Sequence, residues 1–277
     1  TTIKRREDVE AASGVPLLGL GPLINPAQLA ALEMEVDRAV FAYSMPRSPM
    51  AECLRTVRTN LLFRAEKGPI RRLLITSASP REGKSFISVN LAAIIATAGS
   101  RVLVIDADLR RPMVHKSFGL SNSVGLVDVL LGDIDLDGAI QHSHVPGVHV
   151  LTAGPIPTNP SEMLGVEAVR GLLDRSTDYD IILIDSPPVN VVSDALVLAS
   201  LVDGVMFVVQ ASRTSRQLVS NCCSKLQEVN QNLLGTVVNK LNIQQDGYDY
   251  YYYYNDYYSY YSSAEERETR REMTAVK

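Results

Sequence analysis

The chain has 277 residues, of which 46% are hydrophobic and 21% are charged, and its formal net charge is −4. This length suits one large α/β domain or two small ones. The mild acidity argues against a nucleic acid partner, because neutralising phosphates takes clustered Lys and Arg. No apolar run approaches the roughly 20 residues that a membrane-spanning helix needs, and no signal peptide is recognisable.

The first 50 residues are punctuated by Pro and Gly and are predicted to form an extended arm. Apolar residues at helical spacing predict one helix within this arm, over about 27–43. A second helix is predicted over about 50–65, where the folded domain begins. We therefore divide the chain into an arm (1–50), a nucleotide-binding domain (51–243) and a tail (244–277).

Apolar strands alternate with helical patterns through the central part of the chain. Strands are predicted near 71–77, 101–106, 147–152, 180–185, 204–210 and 234–240. Helices are predicted at about 84–98, 161–174, 192–200 and 214–229. Strand sequences such as RVLVIDAD and GVMFVVQ are apolar on both faces, as in a parallel sheet covered by helices on each side. The pattern predicts a doubly wound, mostly parallel α/β sheet.

The segment after Gln244 loses the apolar pattern and is expected to be mobile. It holds ten of the twelve tyrosines of the chain. These are Tyr248, Tyr250, Tyr251, Tyr252, Tyr253, Tyr254, Tyr257, Tyr258, Tyr260 and Tyr261. Such a cluster is either a sticky aromatic surface or a row of substrates for chemistry that acts on a phenol.

The sequence ASPREGKS, Ala78 to Ser85, has the spacing of a phosphate-binding P-loop, with Ala78 replacing the usual first glycine. It follows an apolar strand and opens an apolar helix, which is the context that a P-loop requires. Backbone N–H groups at a helix N-terminus then converge on phosphates. In this reading Lys84 reaches the β- and γ-phosphates of a nucleotide, and the hydroxyl of Ser85 binds Mg²⁺.

Three aspartates end two of the predicted strands. Asp106 and Asp108 follow RVLVI, and Asp185 follows DIILI. In an open α/β sheet the ligand crevice lies outside the C-terminal ends of the strands, so the three carboxylates are expected to converge there. Since Mg²⁺ is bound by few carboxylates together with waters and phosphates, three are enough to hold it and leave one as a base.

With these residues in place, the chain resembles the cytoplasmic kinase domain of the bacterial tyrosine kinases (BY-kinases) that accompany capsule and exopolysaccharide export. The resemblance rests on the Walker A loop, on VLVIDADLRRPMVHKSFG as Walker A′, on IILIDSPPV as Walker B, on LTAGPIPTNPSEML and on the tyrosine cluster. It is closest to the fused type, in which this domain follows two membrane helices. It therefore implies a location on the cytoplasmic face of the bacterial inner membrane, with the first 50 residues as a juxtamembrane arm.

The resemblance implies autophosphorylation of tyrosine with ATP and Mg²⁺. It assigns Asp108 and Asp185, with Ser85, to the metal, and Asp106 to the proton of the substrate hydroxyl, although the spacing alone leaves Asp106 and Asp108 as alternative bases. The nucleotide-binding residues are then Ser79, Pro80, Arg81, Glu82, Gly83, Lys84, Ser85, Phe86 and Asn239. Asn239 is included because it matches an asparagine that contacts adenine in related ATPases. Arg81 stands where the family commonly has Gly.

The helix over 50–65 carries Glu52, Arg55 and Arg58 at three-residue intervals. Such residues commonly form solvated ion pairs on a helix face. They also resemble the E-x-x-R-x-x-R motif by which the family packs into a ring, an octamer by analogy. The resemblance implies further partners: a cognate tyrosine phosphatase, the polysaccharide export machinery and the membrane-spanning region of the same protein.

Two alternatives remain open from the residues. One is a partitioning-type P-loop ATPase switch without kinase activity, but such proteins carry a signature lysine where this chain has Ser79. The other is a tail that stacks on single-stranded RNA or self-associates. Stacking on RNA needs interleaved cations, whereas the segment from Tyr248 to Tyr261 has no Lys or Arg.

Overall fold

The computed structural model describes residues 2–24, 26–32, 34–64 and 68–242. Within these ranges eight strands form a single sheet. They are β1 (Leu17–Pro22), β2 (Arg72–Ser77), β3 (Val102–Asp106), β4 (Gln141–His142), β5 (Val148–Leu151), β6 (Ile181–Asp185), β7 (Gly204–Gln210) and β8 (Leu233–Leu241). The order is β1-β8-β7-β2-β6-β3-β5-β4, and every neighbouring pair is parallel except β4 and β5. The predicted doubly wound sheet is confirmed.

Helices connect the strands and flank the sheet. The described helices are α1 (Arg6–Ser13), α2 (Pro26–Ala30), α3 (Glu35–Ala39), α4 (Phe41–Ser44), α5 (Pro49–Phe63), α6 (Lys84–Thr97), α7 (Val114–Phe118), α8 (Leu126–Leu131), α9 (Leu136–Ala139), α10 (Pro160–Met163), α11 (Val166–Arg175), α12 (Asp194–Ala199) and α13 (Arg216–Val229). No described helix is both long enough and apolar enough to cross a bilayer.

The sheet is apolar on both faces because successive side chains of a strand point in opposite directions. In β2, Leu74 belongs to one buried cluster, whereas Leu73 and Ile75 belong to the cluster on the other face. Helices α5 and α6 contribute to the Leu73 face, and α12 and α13 contribute to the Leu74 face. This double burial explains the continuous apolar runs in the strand sequences.

The single helix predicted over 27–43 is wrong, because three short helices occupy this region. A tertiary contact interrupts the helical ladder near Val40. The side chain of Asn90 on α6 accepts a hydrogen bond from the N–H of Ala42 at 2.7 Å and donates one to the carbonyl of Ala39 at 2.8 Å. Those backbone groups bond to Asn90, a partner that local periodicity does not reveal.

The segment that was predicted as an extended arm contributes to the sheet. Strand β1 pairs in parallel with β8, and Gly19 in β1 lies against α5, where an added Cβ would come within 2.5 Å of the Cγ2 of Val57. Glycine therefore lets β1 and α5 pack closely. The two domain boundaries remain predictions, and the tail lies outside the described residues.

The helix predicted over 161–174 is two helices, α10 and α11, separated at Gly165, the N-cap of α11. The six predicted strands are confirmed within one or two residues. The weak patterns of α1, β1 and β4 and the short helices α7, α8 and α9 were missed.

Candidate active site

The loop between β2 and α6 has the shape of a phosphate cradle. Strand β2 ends at Ser77, and Lys84 is the first residue of α6. Gly83 has a φ of 97°, and a Cβ at this position would lie 2.1 Å from the Nδ2 of Asn239. Both the backbone conformation and the space therefore require glycine immediately before the helix.

Arg81 has a φ of 70°, in the left-handed region that glycine adopts at little cost. Glycine would adopt this conformation at less cost than arginine does. The side chain of Arg81 is exposed, as is that of Pro80. Phe86 is partly buried and packs against the core beneath the loop.

Glu82 is buried, and its side chain stabilises the loop through hydrogen bonds. Its carboxylate accepts a hydrogen bond from the N–H of Ser79 at 2.8 Å and another from the hydroxyl of Thr214. Burial raises its pKa above the ordinary value, although these hydrogen bonds act in the opposite direction. Thr214 lies between β7 and α13, in a region where no sequence motif indicated a function.

Asn239 lies within β8, as the strand predicted near 234–240 implies, and it is buried. Its Nδ2 donates to the carbonyl of Glu82 at 2.9 Å. The neighbouring Lys240 donates from Nζ to the carbonyl of Arg81 at 2.6 Å. Two consecutive residues of β8 thus bind the carbonyls of two consecutive peptide groups of the loop. Of these two residues, only Asn239 was predicted from the sequence.

Lys84 lies at the centre of the candidate site. Its Nζ is 2.9 Å from Oδ2 of Asp108 and 3.5 Å from Oδ2 of Asp185. Burial by itself lowers the pKa of Lys84, but the charges of Asp185 and Asp108 outweigh it and raise the pKa above its ordinary value. Lys84 is therefore protonated at neutral pH.

Asp185 ends β6 and faces the first turn of α6. Its Oδ2 accepts a hydrogen bond from the hydroxyl of Ser85 at 2.6 Å, and its Oδ1 accepts one from the hydroxyl of Ser88 at 3.1 Å. Burial raises the pKa of this carboxyl, and Lys84 only partly offsets the effect. Ser88 was missed, although its position three residues after Ser85 places it on the same face of the helix.

Asp106 is completely buried beside these groups, at the end of β3. Its Oδ2 accepts hydrogen bonds from the N–H groups of Met113 at 3.0 Å and Val114 at 2.9 Å. Its Oδ1 accepts only the N–H of Asp108, at 3.2 Å, among the described residues. Burial and the charge of Asp185 raise the pKa of Asp106 to about 8.

The donor set fits magnesium. Asp106, Asp108 and Asp185 converge on one ammonium group, so the fully ionised cluster has a formal excess of two negative charges in a buried position. The hydroxyl and carboxylate oxygens of Ser85, Asp108 and Asp185 are hard ligands of the kind that Mg²⁺ prefers. In the described ranges no three His, Cys, Asp or Glu side chains form a complete metal cluster by themselves. Magnesium would thus also need Ser85, water or phosphate oxygens.

A second polar network involves the loop that follows Asp108. Nε of Arg110 is 3.2 Å from Oδ2 of the buried Asp194, and Nη2 of Arg110 donates to the hydroxyl of Ser161 at 2.7 Å. Ser161 donates in turn to Oδ1 of Asp194 at 2.6 Å. The network joins the loop that carries Asp108 to α10 and α12, and thereby connects the DADLRRP and NPSEML sequences.

The three residues predicted to serve oligomerisation lie together on α5. Nη1 of Arg55 is 2.8 Å from Oε2 of Glu52, and Nη2 of Arg55 donates to the carbonyl of Pro46 at 2.6 Å. Nη1 of Arg58 donates to the carbonyl of Ile94 at 3.2 Å. The ten predicted phosphorylation sites of the tail lie outside the described residues.

Comparison with known proteins gives consistent matches. Residues 81–243, more than half of the chain, match a family model described as an AAA domain. The chain is similar to the tyrosine-protein kinase YwqD of Bacillus subtilis, with 38% identity over 205 residues that cover 74% of this chain and 86% of YwqD. It is also similar to the solved kinase domain of the Escherichia coli tyrosine kinase ETK, with 32% identity and a TM-score of 0.80, covering 87% of this chain and 95% of that domain.

Some relatives are much longer. The match to Etk of Escherichia coli strain K12 covers only 27% of that protein. A more distant likeness, to MinD of Pyrococcus horikoshii complexed with Mg-ADP, has 22% identity and a TM-score of 0.56, covering 64% of this chain and 72% of MinD. At that identity the likeness shows the fold alone. The P-loop, the buried Lys84–aspartate cluster and the kinase matches together place the chain in the bacterial tyrosine kinase (BY-kinase) family, and its enzyme class is that of a protein-tyrosine kinase.

Proposed function

We propose that this chain uses ATP and Mg²⁺ to phosphorylate the tyrosine cluster Tyr248–Tyr261 of a neighbouring copy of itself. The observation that carries the proposal is the buried cluster at the P-loop, in which Lys84 bonds to Asp108 and Ser85 bonds to Asp185. These side chains are of the types that bind phosphate and Mg²⁺ in phosphoryl transfer. The tail of the same chain supplies the phenol groups that would accept the phosphate.

The nucleotide phosphates are held by the loop Ser79–Gly83 and the start of α6. The N–H groups of this turn and the helix dipole favour anions. Lys84 exchanges its contacts with Asp108 and Asp185 for the β- and γ-phosphates, and Phe86 and Asn239 lie near enough to the loop to line the nucleotide site. Ser85, Asp108 and Asp185 hold Mg²⁺, which supplies neutralisation of the phosphate charge.

Asp106 accepts the proton of the tyrosine hydroxyl. A phenol has an unperturbed pKa of about 10, so at neutral pH its attack needs a base. Oδ1 of Asp106 is suited to that task because it has one long backbone contact, whereas two N–H groups hold Oδ2. The raised pKa of Asp106, about 8, makes it a stronger base than an ordinary aspartate.

Transfer between subunits follows from a ring in which α5 contacts the neighbouring copy. Glu52, Arg55 and Arg58 are partly exposed on this helix, and Leu62 and Phe63 at its end are 72% and 76% exposed. Large exposed apolar side chains next to charged ones are typical of an interface. Because any of the ten tyrosines can enter the active site, the tail can bind in several alignments and still present a hydroxyl.

Phosphorylation then limits itself. Each phosphate adds about −1.5 to −2 charges. Several phosphates on one tail repel neighbouring tails and the aspartate-lined sites, so the ring loosens. In the bacterial cell, this cycle of assembly, phosphorylation and separation would act at the inner membrane on capsule or exopolysaccharide export, with a cognate phosphatase resetting the tail.

Mixing two variants of the 277-residue chain tests the direction of transfer. One variant carries Phe at all ten tail tyrosines and keeps its active site; the other carries Lys84→Met and keeps its tail. With Mg²⁺ and ATP, intact-mass spectrometry is expected to show phosphate increments on the Lys84→Met chain, mapped to Tyr248–Tyr261. Phosphate increments in the wild type but none in the mixture would show that transfer occurs within one chain. ATP hydrolysis without any gain in mass would show that the protein is a P-loop ATPase switch and not a kinase.

A further inference from the structure

The loop that follows β3 is held against the aspartates of the candidate site by its backbone. The N–H of Arg111 donates to Oδ1 of Asp108 at 3.0 Å, and the N–H of Met113 donates to Oδ2 of Asp106 at 3.0 Å. The N–H of Val114, the first residue of α7, donates to the same Oδ2 at 2.9 Å. Because the backbone makes these contacts, the side chains of Arg111 and Met113 remain for other partners.

The two arginines of this loop differ in their contacts. Arg110 bonds to the buried Asp194 and to Ser161, so its charge is used within the fold. Arg111 is exposed, and its guanidinium forms no hydrogen bond or ion pair with any other residue that the structure describes. The loop therefore presents one cation, next to the carboxylate of Asp108, that the described fold does not pair.

Met113 supplies an exposed apolar side chain at the same place. Its residue is 45% exposed, although Val114 and Phe118 in the helix that follows are buried. The N–H of Met113 contacts Asp106, the carboxylate proposed to take the proton of the acceptor hydroxyl. Because that hydroxyl is part of a phenol, the ring of the acceptor has to lie beside this loop. A methionine thioether makes favourable contacts with aromatic rings and adapts to their position.

Electrostatics limit which acceptors can approach this site. Three carboxylates against the ammonium group of Lys84 give the fully ionised cluster a formal excess of two negative charges. The proposed acceptor segment, 248–261, is itself acidic, since it contains Asp249 and Asp256 but no Lys or Arg. Like charges that meet without compensation weaken association, whereas an opposite charge directs a partner to its site. Arg111 supplies the opposite charge.

We propose that Arg111 and Met113 form an acceptor-binding surface that selects a tyrosine with acidic neighbours, presented by the tail of a second copy of this chain. The inference rests on the proposed function and adds to it the class of acceptor. Met113 packs against the phenol ring, and Arg111 forms an ion pair with an aspartate next to the tyrosine. These two residues determine which tyrosines reach Asp106, and they do not take part in the transfer itself.

The test uses a kinase chain with Phe at the ten tail tyrosines and an acceptor chain with Lys84→Met. Arg111→Gln and Met113→Ala are made in the kinase chain, and the control Lys225→Gln removes an exposed lysine of α13. Intact-mass spectrometry gives initial rates at increasing acceptor concentration, and titration calorimetry gives the affinity for Mg-ADP. Arg111→Gln is expected to lower kcat/KM about threefold to fivefold through a higher KM, as for loss of a partly exposed ion pair.

Met113→Ala is expected to raise KM as well, because the phenol ring loses its contact with the thioether. The affinity for Mg-ADP is expected to be the same in Arg111→Gln, Met113→Ala and Lys225→Gln. Lys225→Gln is also expected to keep the KM of the unmodified kinase chain.

A reciprocal change of charge identifies the partner of Arg111. A kinase chain with Arg111→Glu is expected to prefer an acceptor chain that carries Asp249→Lys and Asp256→Lys, whereas the unmodified kinase chain prefers the acidic acceptor. Both preferences should weaken in about 0.5 M NaCl, because salt screens charges that are exposed to water.

Two results would overturn the inference. The first is an equal KM for Arg111→Gln, Met113→Ala and Lys225→Gln. The second is a loss of Mg-ADP affinity in Arg111→Gln, which would assign this arginine to the nucleotide. Either result leaves the proposed function intact as long as the unmodified kinase chain phosphorylates the acceptor chain. If the unmodified kinase chain adds no phosphate to the acceptor chain, the proposed function itself is wrong.

Discussion

The hydroxyl of Ser85 donates a hydrogen bond of 2.6 Å to the carboxylate of Asp185, a residue 100 positions further along the chain. The contact joins the first turn of α6 to the end of β6, and Lys84 adds its ion pairs from the next position. Ser85 and Asp185 are therefore already in contact at the place where magnesium and phosphate are proposed to bind. We expect binding to replace these contacts with contacts to magnesium and phosphate oxygens.

Replacing Lys84 with Met is expected to abolish tail phosphorylation. The cluster would then hold three buried carboxylates without their ammonium partner, and the nucleotide would lose its main cationic contact. A loss of at least about 10²-fold in rate is expected, in line with the removal of one group that stabilises transition-state charge. Intact-mass spectrometry over time measures it, and Lys225→Met serves as the matched control. Residual phosphorylation within tenfold of the wild-type rate would contradict the role of Lys84.

Asp106→Asn is expected to reduce the rate by about 10²- to 10⁴-fold, as for loss of a general base. In the wild type, the rate should rise with pH and level off above a pH of about 8, because the base must be deprotonated. Initial rates between pH 6 and 9 check this. A rate that is independent of pH across this range, or an active Asn variant, would favour Asp108 as the base.

The same substitution is expected to change the pH dependence of stability. The unfolded chain loses the proton of this aspartate near 3.8, whereas the folded protein keeps it to about 8. Between these values the folded state binds more protons, so this group makes the free energy of unfolding fall as pH rises, by about 1.4 kcal/mol per pH unit at most. Urea unfolding of Asp106→Asn between pH 5 and 8 should show a shallower fall than the wild type. An unchanged slope would mean that Asp106 is ionised at neutral pH.

Gly83→Ala is expected to lower both the nucleotide affinity and the free energy of unfolding. An alanine there would need a φ of 97° and would clash with Asn239, at a cost of about 1–3 kcal/mol. Gly171→Ala in α11 is the control, because an added Cβ meets no atom within 4 Å and favours the helix by about 0.5–1 kcal/mol. Thermal unfolding and Mg-ADP titration measure the two effects. Wild-type behaviour of Gly83→Ala would show that the loop is less constrained than its geometry indicates.

A double charge swap on α5 separates a ring contact from a simple surface ion pair. Glu52→Arg combined with Arg55→Glu keeps an ion pair within the helix but reverses the charges that a neighbouring subunit meets. The assembly is expected to shift toward monomers in light scattering, and transfer between subunits is expected to fall. The equivalent swap of Glu167 and Arg170, an exposed pair on α11 with a separation of 3.2 Å, is the control. An unchanged molar mass of the α5 variant would show that Glu52 and Arg55 do not contribute to the interface.

The positions of six strands along the chain and the identity of the loop were readable from the sequence because both depend on local patterns. Continuous apolar runs mark strands that are buried on both faces, and GKS after such a run marks the start of α6. The convergence of Asp106 and Asp185 was also predictable, since parallel strands bring their C-terminal ends to one edge of the sheet.

The prediction of one helix over 27–43 was wrong, and the strand β1 was missed, for the opposite reason. Their backbone is decided by distant partners: Asn90 takes the hydrogen bonds near Val40, and β8 provides the ladder for β1. A window of neighbouring residues contains neither partner.

The sequence by itself determined the fold class, the phosphate loop and the three carboxylates, because strand periodicity and motif spacing are properties of nearby residues. Only the tertiary structure decided that Thr214, Asn239 and Lys240 hold the loop, and that Lys84 is balanced between Asp108 and Asp185. Those contacts join residues that are far apart in the chain. They exist because the folded sheet brings the ends of β3, β6, β7 and β8 to the P-loop that follows β2.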